Sequence, residues 1–145
     1  FLRFGSIHRN TYFDSPRVLN QDLSLKGSPL VFLAGQMTGV EGYMESAAMG
    51  IMAALAVTTR ISGRILSPPP ADTATGALIR YITDDKNTNF QPMNINFGIM
   101  EPLDVPKKSR KLARLEKESL SFESWMKLSG ISKDPFPKQA TGNDT

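Results

Sequence analysis

Hydrophobic and polar positions mark out three consecutive regimes between residues 30 and 61 of this chain. Residues 30–34 (LVFLA) form a short unbroken apolar run bounded by Pro29 and Gly35, the pattern of a parallel strand buried on both faces. Periodicity by itself also permits a buried helical segment there. The sequel favours the strand, because Gly35, Gly39 and Gly42 supply a backbone that can turn tightly and lie close to a ligand. From about residue 42 to 61 the small residues Ala47, Ala48, Gly50, Ala53, Ala54 and Ala56 predict a helix able to approach a sheet or a cofactor closely. Met44, Met49, Ile51, Met52 and Leu55 are its larger packing groups. The three regimes read as the last strand, turn and helix of a nucleotide-binding sheet.

The helix start after the glycine turn presents unpaired N–H groups and the positive end of a dipole, which favour a phosphate or an electron-rich carbonyl. An ordinary strand, turn and helix packed in a core is equally compatible with these residues.

Elsewhere the pattern is coarser. Residues 1–28 are loop-rich, with Asp14-Ser15-Pro16 as a turn or helix start, and residues 67–70 (SPPP) read as an extended linker. Residues 73–83 (TATGALIRYIT) space Ala77, Leu78, Tyr81 and Ile82 as a short amphipathic helix. Residues 90–102 (FQPMNINFGIMEP) are apolar but broken by Pro92, Asn94, Asn96 and Gly98, as in an ordered loop that covers something. A charged helix is predicted over residues 106–128, its buried side drawn from Leu112, Leu115, Leu120, Phe122 and Trp125. The tail, residues 129–145, is expected to be disordered. Residues 1–66 are thereby assigned to one domain and residues 67–128 to a helical region completing it.

Length and composition change this picture in one respect. With 145 residues and 40% hydrophobic content, the chain can build one core. It nevertheless opens FLRFGSIHRN, with neither an initiator methionine nor a signal-peptide pattern, and the apolar strand has no evident neighbours. The expectation is a C-terminal fragment whose strand exposes unpaired edges and apolar faces. No apolar run approaches the roughly 20 residues of a membrane span, so the expected setting is cytoplasmic and without a membrane partner.

Charge and chemistry narrow the candidates. The net charge is only +3, yet residues 106–117 hold Lys107, Lys108, Arg110, Lys111, Arg114 and Lys117 against Glu116 alone. Such a stripe suits a polyanion such as RNA, or else a solvated helix face paired with Glu116, Glu118 and Glu123. The absence of cysteine excludes disulfides, thiolate metal sites and a cysteine nucleophile within these residues. His8 is the only histidine, which rules out a multi-histidine metal site. With Arg9, Asn10 and Thr11 it forms a dense polar set suited to a planar, hydrogen-bonding ligand. Glu41 and Glu45, one helical turn apart, serve either helix capping or acid–base chemistry.

The segments GSIHRNTY, AGQMTGVEGYMESAAMGIMAA, TATGALIRYIT and FQPMNINFGIMEPL, in this order and at this spacing, closely resemble the C-terminal part of the folate- and flavin-dependent tRNA (uracil-5-)-methyltransferases, a branch of the GidA-like flavoproteins. The resemblance covers roughly residues 3 to 115. Its AGQ-TGVEGY run separates this branch from the related tRNA wobble-uridine modification proteins.

The resemblance implies an α/β fold: the C-terminal part of a Rossmann-like, FAD-binding domain of the GidA type, followed by mainly helical segments. It implies formation of 5-methyluridine in the tRNA T-loop, with methylenetetrahydrofolate as carbon donor and FAD as reductant, recharged by NAD(P)H. Carried onto this chain, Gly35, Gln36, Thr38, Gly39 and Val40 would line the flavin end of FAD, and His8, Arg9 and Asn10 would face the flavin and the folate. The implied partners are tRNA, the folate and the remainder of a parent chain.

Two departures limit this. The family's G-x-G-x-x-G phosphate loop and every nucleophilic cysteine are missing from these residues, so no catalytic residue is assigned and the chain alone is expected to be inactive. A flavin-binding or structural homologue without methyl transfer is the alternative.

Overall fold

The computed structural model of the chain describes residues 11–106 and 108–132. Its elements run in the order α1 (Ser15–Val18), β1 (Ser24–Leu25), β2 (Ser28–Phe32), a 3-10 turn (Gly35–Thr38), α2 (Tyr43–Ile61), α3 (Ala74–Thr83) and α4 (Arg110–Ser129). The described residues are thus mixed α and β, mostly helical, with one two-stranded antiparallel sheet.

The apolar run at residues 30–34 is not the buried parallel strand its composition predicts. Only Lys26 and Gly27 separate β1 from β2, and Leu25 faces Ser28 while Ser24 faces Phe32, with a register irregularity between. A two-residue connection lets the chain close antiparallel on its nearest neighbour, whereas parallel pairing requires a crossover of about a dozen residues. The strand is also open to solvent: Leu30 keeps 81% of its surface and Val31 47%. That exposure is the outcome expected of an apolar strand short of neighbours.

A tight turn anchors this hairpin. Leu23 adopts a left-handed conformation (φ 65°) yet is buried, its N–H donating to Asn20 O at 2.9 Å. Asp22 holds the turn together. Its Oδ1 accepts from the Ser24 N–H (3.1 Å) and from Ser24 Oγ (2.6 Å), and its Oδ2 pairs with Arg60 Nη2 of α2 at 2.5 Å. Burial alone would raise the Asp22 pKa, but the Ser24 and Arg60 interactions outweigh it and hold the carboxyl below its ordinary value.

Helix α2 begins at the predicted position, after Gly42 (φ 94°, ψ 145°), in a backbone region close to one open essentially to glycine. Met49, Met52, Ala53 and Ala56 form its buried stripe. Met44 and Ile51, expected to pack, are exposed, because at 3.6 residues per turn they fall on the side opposite Met49 and Met52.

Helix α3 sits at the centre, with Ala77, Leu78, Ile79 and Ile82 buried. Thr73 caps it, Oγ1 accepting from the Gly76 N–H at 3.0 Å. The proline segment has no regular structure but is packed rather than free: Leu66 is buried, and Trp125 Nε1 donates to Ser67 O at 2.9 Å.

Helix α4 buries Arg114 and Trp125 and half-buries Phe122. Leu112, Leu115 and Leu120 stay exposed, contrary to expectation, since the core-facing stripe follows residues 114, 118, 121 and 125. Gly130 ends the helix in the left-handed conformation and Ile131 folds back on the core, its N–H donating to Met126 O. No helix among the described residues is long and apolar enough to cross a membrane.

Candidate functional site

The glycine-punctuated segment joining β2 to α2 is built as a compact turn. Gly35 (φ 65°) opens the 3-10 turn and Gly39 (φ 80°) closes it, its N–H donating to Gln36 O at 3.0 Å. Thr38 Oγ1 donates to Gly35 O at 2.7 Å, so its hydroxyl is spent inside the turn. Beyond the turn, Val40 forms a parallel bridge with Met93: Glu41 N–H donates to Met93 O (3.0 Å) and Met93 N–H to Gly39 O (3.1 Å).

Gly39 is fixed by close approach as well as by φ. A Cβ there would strike the Phe90 ring, and that ring is itself held by Tyr12 (6.2 Å between centroids) and Tyr81 (5.6 Å). The loop over residues 90–102 therefore does cover something: the back of this turn. Gly42 is equally tight, since a Cβ would meet the Glu45 carboxylate. Glu45 Oε1 accepts from the Ile95 N–H at 3.3 Å, tying the same loop to the start of α2.

The five residues assigned to the flavin thus divide by direction. Thr38, Gly39 and Val40 are buried and shape the turn from within. Gln36 is exposed and Gly35 half-exposed, a Cβ on Gly35 meeting nothing closer than Ser46 at 3.8 Å. No side chain caps the N-terminus of α2. The turn can therefore offer a ligand backbone N–H groups and the Gln36 amide, while the positive end of the helix dipole already faces the Glu45 carboxylate. His8, Arg9 and Asn10 lie outside the described residues. Among the described residues there is no cluster of groups able to hold a metal ion.

Two aromatic residues were not singled out from sequence. Phe90 backs Gly39, and Phe97 stacks 5.4 Å from the Arg114 guanidinium. The interruption of an apolar loop by Asn and Gly was the only available signal for either.

Comparison with known proteins gives this geometry a context. Residues 1–64 match the protein family described as glucose inhibited division protein A. The chain is 52% identical over 117 residues to the methylenetetrahydrofolate–tRNA-(uracil-5-)-methyltransferase TrmFO of Syntrophus aciditrophicus, covering 81% of this chain and 26% of that protein. It is 56% identical over 111 residues to the TrmFO of Moorella thermoacetica (76% and 25%) and 46% identical over 147 residues to that of Nitratidesulfovibrio vulgaris (100% and 31%). The chain spans between a quarter and a third of the length of these curated relatives.

Proposed function

We propose, from the premise that this is a TrmFO-like chain of the GidA type, that it forms the flavin-side wall of a tRNA methyltransferase making 5-methyluridine. The carrying observation is the uncapped start of α2 beside the left-handed Gly35 and Gly39. Such a start offers fixed backbone donors to the electron-rich edge of a flavin, with the Glu45 carboxylate in the same first turn.

The residues present fit FAD. Gly35 leaves the backbone open on its outer side, and Gln36 extends from the same turn. Thr38, Gly39 and Val40 hold that backbone in place. When bound, the flavin supplies the two electrons by which a methylene carbon becomes a methyl group. What this chain's own residues do is bind, orient and exclude water.

His8, Arg9 and Asn10 are assigned to the folate. Support comes from the GSIHRNTY resemblance, and the described chain that follows is tied to the turn, the Phe13 N–H donating to Met37 O at 3.0 Å. NAD(P)H is the proposed source of reducing equivalents, tRNA the partner and the cytoplasm the setting. With no cysteine in the chain, the nucleophile belongs to other residues, and the chain alone is inactive.

The test is a chimera in which this chain replaces the matched part of the Moorella thermoacetica relative. It should retain FAD, and Gly35→Val, which fills the open outer side of the turn and also strains its left-handed backbone, should lower flavin occupancy about tenfold within the folded fraction, while His8→Ala should raise the folate KM and leave flavin bound. Full flavin occupancy in Gly35→Val would overturn the assignment of the turn. Bound flavin with no methylation would favour a homologue that binds the cofactor without transferring carbon.

A further inference from the structure

A second feature lies away from the turn, where α4 crosses the loop over residues 90–102. A cavity of about 460 Å³ opens there, with Ile95, Phe97 and Met100 as apolar wall and Lys111, Arg114 and Glu118 as its charged lining. That volume is in the range of small-ligand pockets.

Arg114 is the unusual group. It is buried to 7% exposure, its Nη2 donates to Glu101 O at 2.8 Å, and its Nε has no hydrogen-bond partner among the described residues. The guanidinium lies 5.4 Å from the centroid of the Phe97 ring. Phe97 itself remains 69% exposed, so the ring is held on one side by a cation and open on the other. A buried donor without a partner is costly, and an aromatic face left in water is a stacking platform.

The surroundings are basic. Lys108 and Lys111 form no ion pair among the described residues, and Arg110 reaches only the Val105 carbonyl. Lys117, the next cation along, is engaged by Asp72 at 3.4 Å. The unneutralised charge is therefore concentrated at the end of α4 nearest the ring.

We propose that this cavity and its rim bind an unpaired nucleotide of RNA. The base stacks on the open face of Phe97, with the Arg114 guanidinium behind the ring. The flanking phosphates take Lys108, Arg110 and Lys111. An acidic peptide would satisfy the cations but leave the ring unused, whereas a single-stranded nucleotide uses both. The proposal rests on the reading that tRNA is this chain's partner.

The test measures binding of the full chain to unmodified tRNA, to a single-stranded RNA oligonucleotide and to duplex RNA, over a range of salt. Phe97→Ala, at an exposed position that the fold does not need, should weaken tRNA and single-strand binding about tenfold and leave the salt slope unchanged, and Phe97→Tyr should restore affinity. Lys108→Ala and Lys111→Ala should each lower the salt slope by about 1. If tRNA binds but Phe97→Ala is silent, the nucleotide site is overturned while the tRNA reading stands. Equal displacement by polyglutamate, with Phe97→Ala silent, would assign the patch to an acidic protein surface instead. Failure of the unaltered chain to bind any of the RNAs would overturn both.

Discussion

Gly39→Ala probes the turn where two independent costs meet. The first is conformational: at φ 80° an alanine sits in the left-handed region, which costs about 1–2 kcal/mol for a residue with a Cβ. The second is steric, because the new methyl is directed at the Phe90 ring. Phe90 cannot simply withdraw, since Tyr12 and Tyr81 pack against it and it is buried to 8% exposure. Overpacking of that kind costs about 1–3 kcal/mol. The sum is a loss of about 2–5 kcal/mol, a large share of the stability of a chain this size. Urea unfolding of the chain, followed by helical circular dichroism, should show the midpoint falling by about 1–2.5 M for an m-value of about 2 kcal/mol/M. A second background separates the two costs. In Phe90→Leu the steric part should shrink, so Gly39→Ala should lose only about 1–2 kcal/mol there, and the cycle should report the difference as coupling. Equal losses in both backgrounds would refute the claim that Phe90 fixes Gly39. A neutral Gly39→Ala would refute the turn itself.

Other substitutions have signs that the structure decides. Gly50→Ala, inside α2 with open space around the added methyl, should raise stability by about 0.5–1 kcal/mol in the same urea assay. Gly76→Ala is also helical but should destabilise by about 1–3 kcal/mol, because its methyl would meet the Pro69 and Pro70 carbonyls and these are backbone atoms. Asp22→Asn should cost about 2–3 kcal/mol at neutral pH, less than a fully buried pair because the Arg60 side chain keeps 25% of its exposure. The Asp22 carboxyl is held below its ordinary pKa, so its stabilisation is present above the unfolded-state value and is lost as pH falls through the lower native value. Urea midpoints taken from neutral pH into the acid range should therefore fall more steeply for the unaltered chain than for Asp22→Asn.

What the sequence disclosed depended on how local the physics was. The start of α2, the helix over residues 73–83 and the glycine turn rest on interactions within a few residues, and each is legible. The pairing of residues 30–34 is not, because an apolar run suits a buried strand and an exposed one alike, and the Lys26-Gly27 connection carries none of the strong two-residue turn pairs. On α4, several leucines suggested an apolar stripe, yet the face that packs is chosen by Trp125 reaching Ser67 and by Arg114 reaching Glu101. Both contacts are long in sequence and leave no periodic trace. At the turn, sequence and resemblance named the residues but not their direction. That Thr38 and Val40 point inward while Gln36 points outward follows from the Thr38–Gly35 hydrogen bond and the Val40–Met93 bridge.

The most direct test is carbon transfer by the chimera of this chain with the Moorella thermoacetica relative. Supplied with FAD, NAD(P)H and methylenetetrahydrofolate labelled in its methylene carbon, it should place the label in 5-methyluridine of tRNA, and Gly35→Val should lose label and flavin together. A folded, FAD-loaded chimera that leaves tRNA unlabelled would contradict the assignment of this chain to the wall of a methyltransferase site.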